Sequence, residues 1–343
     1  MIDQRLFDWY QIDTKKNLRL GRYCFRPFDT VLIDKSGSCY LCECTAWLPQ
    51  SVGNLYKSSL EEILDSDTAK LLRGSINDGS YRYCNNQQCS YLLDHRGVSW
   101  PDTPNISDVK NIRLAIDDSC NLSCPSCRKE KIFLKRGKQL QMRFELANKI
   151  VHFLKQDKHF KIHIGSDGDP FASLVYRYFI QKTKNFKNLS YSIQTNGLLV
   201  KKMFAKNKSL FENLETLNLS IDGATKETYE TLRRGGSFEK IIENLEFIRS
   251  IKKSFNFKFI LHFVVQQKNY KEMLDMIGLA KKYSADKIWF NKITNWNTFE
   301  NFEEQEIFNN KHPEYKNYKN CLDKISVLQK EYKNQFIEFP TLT

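Results

Sequence analysis

The chain has no long apolar run. Its first residues, MIDQRLFDWYQIDTKK, lack an apolar core of signal-peptide length. Nothing further along approaches the ~20 apolar residues that span a bilayer. A membrane partner is therefore not expected, and the protein reads as cytoplasmic. A concentrated basic run is missing too. The 53 Lys and Arg against 40 Asp and Glu give a formal charge of +13, but the lysines are spread along the chain among many asparagines. With no RNA-binding module signature in the termini, a nucleic-acid partner is not expected either. There is no low-complexity tract, and no repeat beyond the alternation of strand-like and helix-like segments.

What is present is a folded composition: 343 residues, 41% hydrophobic, 13% aromatic and 27% charged. That is room for one large catalytic domain and a small accessory one. Ten cysteines without an export signal argue against a disulfide scaffold, because a reducing compartment uses clustered thiols for metals or catalysis. Six lie between Cys24 and Cys89, three between Cys120 and Cys127, and Cys321 stands alone. Two groups of thiols imply two metal sites.

Residues 1–105 are short apolar pieces broken by turn signals (DKSG, LPQ, NDG, CNNQQC) around one helix-like stretch, SSLEEILDSDTAKLLRGS, as in a small metal-stapled module. From Asn111 the texture becomes βα. Strands are expected at 111–117, 161–165, 189–194, 215–221, 257–265 and 286–291, with amphipathic helices between them. Ser237, and Asn269 with Glu272, read as N-terminal caps. The expected fold is α/β: a partial (β/α)6 TIM-like barrel over 106–300, preceded by a small N-terminal cysteine-rich α+β module and followed by a C-terminal extension, 301–343. That extension should be irregular, with a closing helix near DKISVLQKEYK. In such a barrel the active site lies on the loops that follow the strands.

The loop after the first barrel strand reads IDDSCNLSCPSCRKE. Its CxxxCxxC spacing lets one short segment wrap a cubane. A [4Fe-4S] cluster needs a ligand on each iron, so Cys120, Cys124 and Cys127 leave one iron open for chemistry. Zinc would need a fourth donor. In this loop the chain resembles the radical S-adenosylmethionine (radical SAM) superfamily. The resemblance implies that the open iron chelates S-adenosylmethionine and that its reductive cleavage gives a 5′-deoxyadenosyl radical which abstracts hydrogen from substrate. GSDGDPF after the second strand is similar to the family's glycine-rich cofactor segment, which implies contacts at Gly168, Asp169 and Pro170. QTNG, LSIDGA and VVQQKN after the next three strands imply Asn196, Ser220, Asp222 and Gln266. Each of these is by itself an ordinary turn residue; their placement at successive strand ends carries the reading. The resemblance extends over 111 to about 295, including SIDGATKETYETLRRGGSFEKIIENL.

Cys24, Cys39, Cys42, Cys44, Cys84 and Cys89, with Gly37 at a hairpin and a GN turn before a helix, resemble the SPASM type of auxiliary cluster domain, although that module usually follows the barrel. The resemblance implies a second, auxiliary iron–sulfur cluster, with Cys24, Cys42, Cys84 and Cys89 as ligands. Cys39 could exchange with Cys42, Cys44 is a spare thiol, and a four-cysteine zinc site is the alternative. His152 and His163 are read as packed or surface residues, Trp289, Phe290 and Trp296 as core, and Cys321 as inert. The expected function is radical modification of a peptide or small-molecule substrate, of peptide-maturase type, with an electron donor such as flavodoxin or ferredoxin. Radical oxidation or epimerisation of a sugar or aminocyclitol, an RNA-modifying radical enzyme and a non-catalytic zinc module are the alternatives. No residue is identified as the acid, base or hydrogen donor.

Overall fold

The computed structural model describes residues 1–10, 12, 23–93, 98–102, 107–165, 167–332 and 335–339. The chain divides into two compact units. One comprises Met1–Asp117, Lys135–Asp167 and Tyr178–Ser190; the other comprises Asp118–Leu134, Gly168–Arg177 and Tyr191–Thr343. Among the described residues no helix is long and apolar enough to cross a membrane.

In the first unit, β1 (Thr30–Asp34), β2 (Ser38–Tyr40) and β3 (Ser51–Asn54) form an antiparallel meander. The β1–β2 turn needs Gly37, at φ +81°, and Asp34 ties it by accepting from the amides of Ser36 and Ser38. A capping box, Ser59 with Glu62, starts the helix Leu60–Leu64, and Ser66 caps Asp67–Asn77. The meander then joins the βα region. β1 pairs in parallel with β4 (Asn111–Ala115), from Thr30 beside Asn111 to Asp34 beside Ala115, and β4 pairs in parallel with β5 (Phe160–Ile164).

In the second unit, β6 (Leu189–Thr195, from Tyr191 onward in this unit), β7 (Leu214–Ser220), β8 (Lys258–Val265), β9 (Lys287–Lys292) and β10 (Ile337–Glu338) are parallel, each beside the next. Their alternation sorts the side chains. Ile193, Leu217, Leu219, Phe259, Leu261, Phe263, Val265, Ile288 and Phe290 are buried on one face, the sheet's share of the core. Ser192, Gln194, Asn218, His262 and Trp289 fall on the other, so the two-sided apolar burial usual for parallel strands is absent here.

Strands β4 to β9 lie within two residues of the six expected, each followed by helix, and the chain has the α/β alternation of a partial (β/α)6 TIM-like barrel. Ser237 caps its helix as expected, accepting from the Lys240 amide. Asn269 and Glu272 stand at the N-cap positions of Tyr270–Glu272 and Met273–Lys282 but make no side-chain capping bond: both reach back to the loop after β7, as described below. The closing helix begins earlier than expected and runs Tyr315–Glu331, and the short β10 adds a strand after it. Trp296 is 66% exposed rather than core. Trp289 lies on the polar face, and Phe290 is core as expected.

Candidate cluster and cofactor site

The loop after β4 is fastened at several points. The Cys120 amide donates to Ile132 O, and the amides of Cys127 and Arg128 both donate to Cys124 O, which folds CPSC into a turn. Ser123 exchanges bonds with Arg234: its amide donates to Arg234 O, and the Arg234 Nε donates to Ser123 O at 2.9 Å. Arg234 Nη2 also reaches Lys129 O at 2.7 Å, and Arg128 Nη1 holds Asp118 O at 2.6 Å.

Each of the three sulfurs is met by a donor. Cys120 Sγ accepts from the Leu122 amide at 3.4 Å and lies 3.8 Å from Asn196 Nδ2. Arg128 Nε donates to Cys127 Sγ at 3.4 Å, and Arg233 Nη1 lies 3.9 Å from Cys124 Sγ. Burial pushes the Cys120 thiol up to about 11, and the Asp169 carboxylate adds to this. Burial likewise raises Cys124, against the pull of Arg233. A thiol so placed becomes a thiolate only with a nearby positive charge, which a metal supplies.

The strand-end loops are knitted around it. The Asp169 carboxylate, buried, accepts from the Phe171 and Ala172 amides on one oxygen, and from Thr195 Oγ1 (2.7 Å) and the Asn196 amide (2.8 Å) on the other. Its amide donates to Ser119 O. The Asp169 side chain thus holds the loop after β5 to the end of β6, and its carbonyl accepts from the Ala172 and Ser173 amides. Asn196 Nδ2 donates to Asn121 Oδ1 at 2.9 Å, and Asn196 Oδ1 accepts from the Leu198 amide. Ser220 Oγ accepts from Gln194 Nε2 at 3.2 Å. Asp222 accepts from the Val264 amide at 2.9 Å and ion-pairs with Arg233, Nε to Oδ2 2.9 Å.

Gln266 stands apart: fully buried, with neither Oε1 nor Nε2 paired to a described residue. An unmet buried amide costs about 1–3 kcal/mol, which a polar group reaching it would offset. The structure brings all seven strand-end residues and the three cysteines into the second unit.

Sequence reasoning passed over the residues that brace this arrangement. Arg233 and Arg234 sit at the end of the helix Lys226–Leu232. Their signal was the RRGG run inside a segment already noted, but nothing local says that a buried arginine reaches a thiol. Asn269 Oδ1 accepts from the Gln266 amide, and its Nδ2 donates to Asp222 O and Val264 O. Glu272 accepts from the Ala224 and Thr225 amides and from the Thr225 and Thr228 hydroxyls.

In the first unit a second set of thiols gathers. Cys84 lies within electrostatic reach of Cys24, Cys89 and Cys42, and Cys42 of Cys24 and Cys89; burial first, then these neighbours, raise them. Cys24 is pushed up to about 12 by burial. Tyr81 OH accepts from the Cys24 amide, and Asn85, bonded to Trp47 O and Ala46 O, holds the Cys84–Cys89 turn against the Cys44 turn. Cys39 does not belong to this set: it is sealed in β2 opposite Ile33, with its sulfur on Gly37 O. Cys44 lies within electrostatic reach of Cys89.

Among the described residues no three His, Cys, Asp or Glu side chains converge to share one ion. A cubane asks for no such convergence, because its thiolates bind separate irons. The three thiols with N–H donors, and the orphaned Gln266 amide, fit an iron–sulfur cluster beside a polar cofactor.

The chain matches the radical SAM superfamily over residues 116–280 and an iron–sulfur cluster-binding domain (SPASM) over 24–90, together about two thirds of its length. It is 30% identical over 142 residues to the GTP 3′,8-cyclase of Alkaliphilus metalliredigens, covering 40% of this chain and 42% of that protein. It is 27% identical over 179 residues to that of Limosilactobacillus fermentum, covering 51% and 52%. The chain thus spans about half the length, or less, of these curated relatives. Among solved structures, Streptococcus suis SuiB bound to precursor peptide SuiA is similar at TM-score 0.44 and 14% identity, over 80% of this chain and 53% of that one. The structure of anSMEcpe with bound AdoMet is similar at TM-score 0.40 and 18% identity, over 54% and 52%. The two matched segments and the cysteines within them lead to one conclusion: the chain belongs to the radical SAM superfamily of enzymes, which work with a [4Fe-4S] cluster and S-adenosylmethionine, and it carries an auxiliary iron–sulfur module ahead of the matched barrel.

Proposed function

We propose that this chain is a radical SAM enzyme of peptide-maturase type, acting on a peptide or small-molecule substrate. When bound, the cluster and S-adenosylmethionine supply one-electron reductive cleavage and hydrogen abstraction. Cys120, Cys124 and Cys127 would hold the cluster, and three thiolates would leave it a free position for the cofactor. Gly168, Asp169, Pro170, Asn196, Ser220, Asp222 and Gln266 form the cofactor's bed. Within it Asp169 keeps two loops in register, Asp222 orients the Arg233 guanidinium, and Gln266 offers its unmet amide. Cys24, Cys42, Cys84 and Cys89 hold the auxiliary cluster, and a flavodoxin or ferredoxin delivers the electron.

The observation that carries the reading is the set of N–H donors on all three sulfurs of the CxxxCxxC loop, since hydrogen bonds to cluster sulfurs tune its potential. The peptide class rests on the SPASM module. A nucleotide substrate is the second reading, favoured by the GTP 3′,8-cyclases among the relatives.

Anaerobic reconstitution with iron and sulfide tests this. The full chain should take up about eight irons and release 5′-deoxyadenosine with dithionite and S-adenosylmethionine. C120A, C124A and C127A should each abolish that release. Zinc in place of iron, or no deoxyadenosine, would overturn the proposal. Deuterium transfer from labelled GTP into deoxyadenosine would favour the nucleotide reading, and transfer from a labelled precursor peptide the peptide one.

A further inference from the structure

The polar face of β6 to β9 carries an imidazole that the cofactor bed does not use. Pairing sets Ser220 beside His262 and His262 beside Trp289, with Gln194 beside Asn218 one row earlier. The hydrogen bonds of this row fix one another. Asn218 Nδ2 donates to Ile193 O and Ser192 Oγ, both at 3.4 Å. A carbonyl only accepts, so the amide nitrogen lies on that side and Oδ1 faces His262 Nε2, at 3.0 Å. Nε2 therefore carries the proton, and in a neutral ring Nδ1 bears the lone pair.

The ring is held neutral: burial, with the charge of Arg233 acting in the same sense, pushes it down to about 4. Arg233 is the charged group that bears on it; Asn218, Ser220 and Trp289 are neutral. Trp289 stacks on the ring, centroids 5.1 Å apart and planes at 27°, which limits its rotation. Nδ1 makes no hydrogen bond with any described residue, and it is not among the buried polar atoms sealed without a partner. The row thus presents one oriented, open acceptor.

We propose that His262 is a substrate-recognition residue whose Nδ1 accepts a hydrogen bond from a neutral donor on the substrate, a peptide amide N–H. The Arg233 charge disfavours an ammonium or guanidinium donor there. The amide class rests on the peptide reading above; the oriented acceptor does not.

Diethylpyrocarbonate labelling of the reconstituted full chain, mapped by mass spectrometry, tests it. His262 should be carbethoxylated at nearly the same rate at pH 5.5 and 7.5, where a histidine of ordinary pKa (~6.5) slows about tenfold. N-acetylglycinamide should slow the labelling of His262 several-fold. N218D, which sets a carboxylate against Nε2, should restore a fall in rate toward pH 5.5 without changing iron content. An unlabelled His262, or a tenfold fall in the unaltered chain, would overturn the inference, even in an enzyme that releases deoxyadenosine with a peptide. Protection by GTP and not by the amide would overturn the amide as ligand, and the peptide reading with it.

Discussion

A charge buried beside a thiol must itself be held, and Arg233 shows how. Burial opposes its charge, but Asp222 and the Cys124 thiol outweigh that and raise it. Asp222 is 1% exposed and depends on Arg233 in return. Removing one partner of such a pair costs about 3–5 kcal/mol, because the other charge stays buried alone. R233M should lose that much stability in urea unfolding, and D222L/R233M markedly less; equal losses would mean that the two do not act as a pair. The histidines give a pH signature. His262 is pushed down to about 4 and His163 to about 3, by burial first. Below pH ~6.5 the unfolded chain takes up protons that the folded rings refuse. Their contribution is therefore complete above pH 6.5 and is lost as pH falls, toward 4 and by about 3 kcal/mol for His262, and toward 3 for His163. The gap in unfolding free energy between pH 7 and pH 5 should narrow in H262Q; an unchanged gap would show that His262 titrates alike in both states. Neither effect could be read from the sequence. Asp222 was legible as a strand-end residue, but its partner lies eleven positions on, and His163 looked like any strand histidine.

Among elements, strands were read best, because a period-two pattern survives any tertiary context. Loop contacts were read worst. Asn269 and Glu272 have the spacing of a helix start, yet they bond the loop after β7, since unmet amides at Ala224 and Thr225 compete for the same carboxylate. Close approach between these elements falls on Gly223. A Cβ there would lie 2.4 Å from the Tyr229 backbone nitrogen, and backbone cannot step aside as a side chain can. G223A should destabilise the fold by about 1–3 kcal/mol, seen as a lower Tm, with the largest loss of hydrogen-exchange protection in Lys226–Leu232. An unchanged Tm would mean that the helix can shift without cost.

For the whole molecule, the two thiol groups lie in separate compact units, so their clusters should be separable. C84A/C89A should lose about four of roughly eight irons and still release deoxyadenosine. Loss of all iron would show that the first cluster depends on the module. Sequence alone determined the chemistry: which cysteines are grouped, that three of them share one short loop, and that this loop follows a strand. Such facts are local in the chain, and spacing is enough to state them. Tertiary structure decided the rest. It set Cys39 inside a strand and Cys44 near Cys89, though both lie within five residues of Cys42. It also joined β1 to β4 across nearly eighty residues. It turned Arg233 onto a sulfur and fixed the tautomer of His262 through an asparagine on another strand. Burial and pairing between distant segments set these outcomes, and neither quantity exists until the chain has folded.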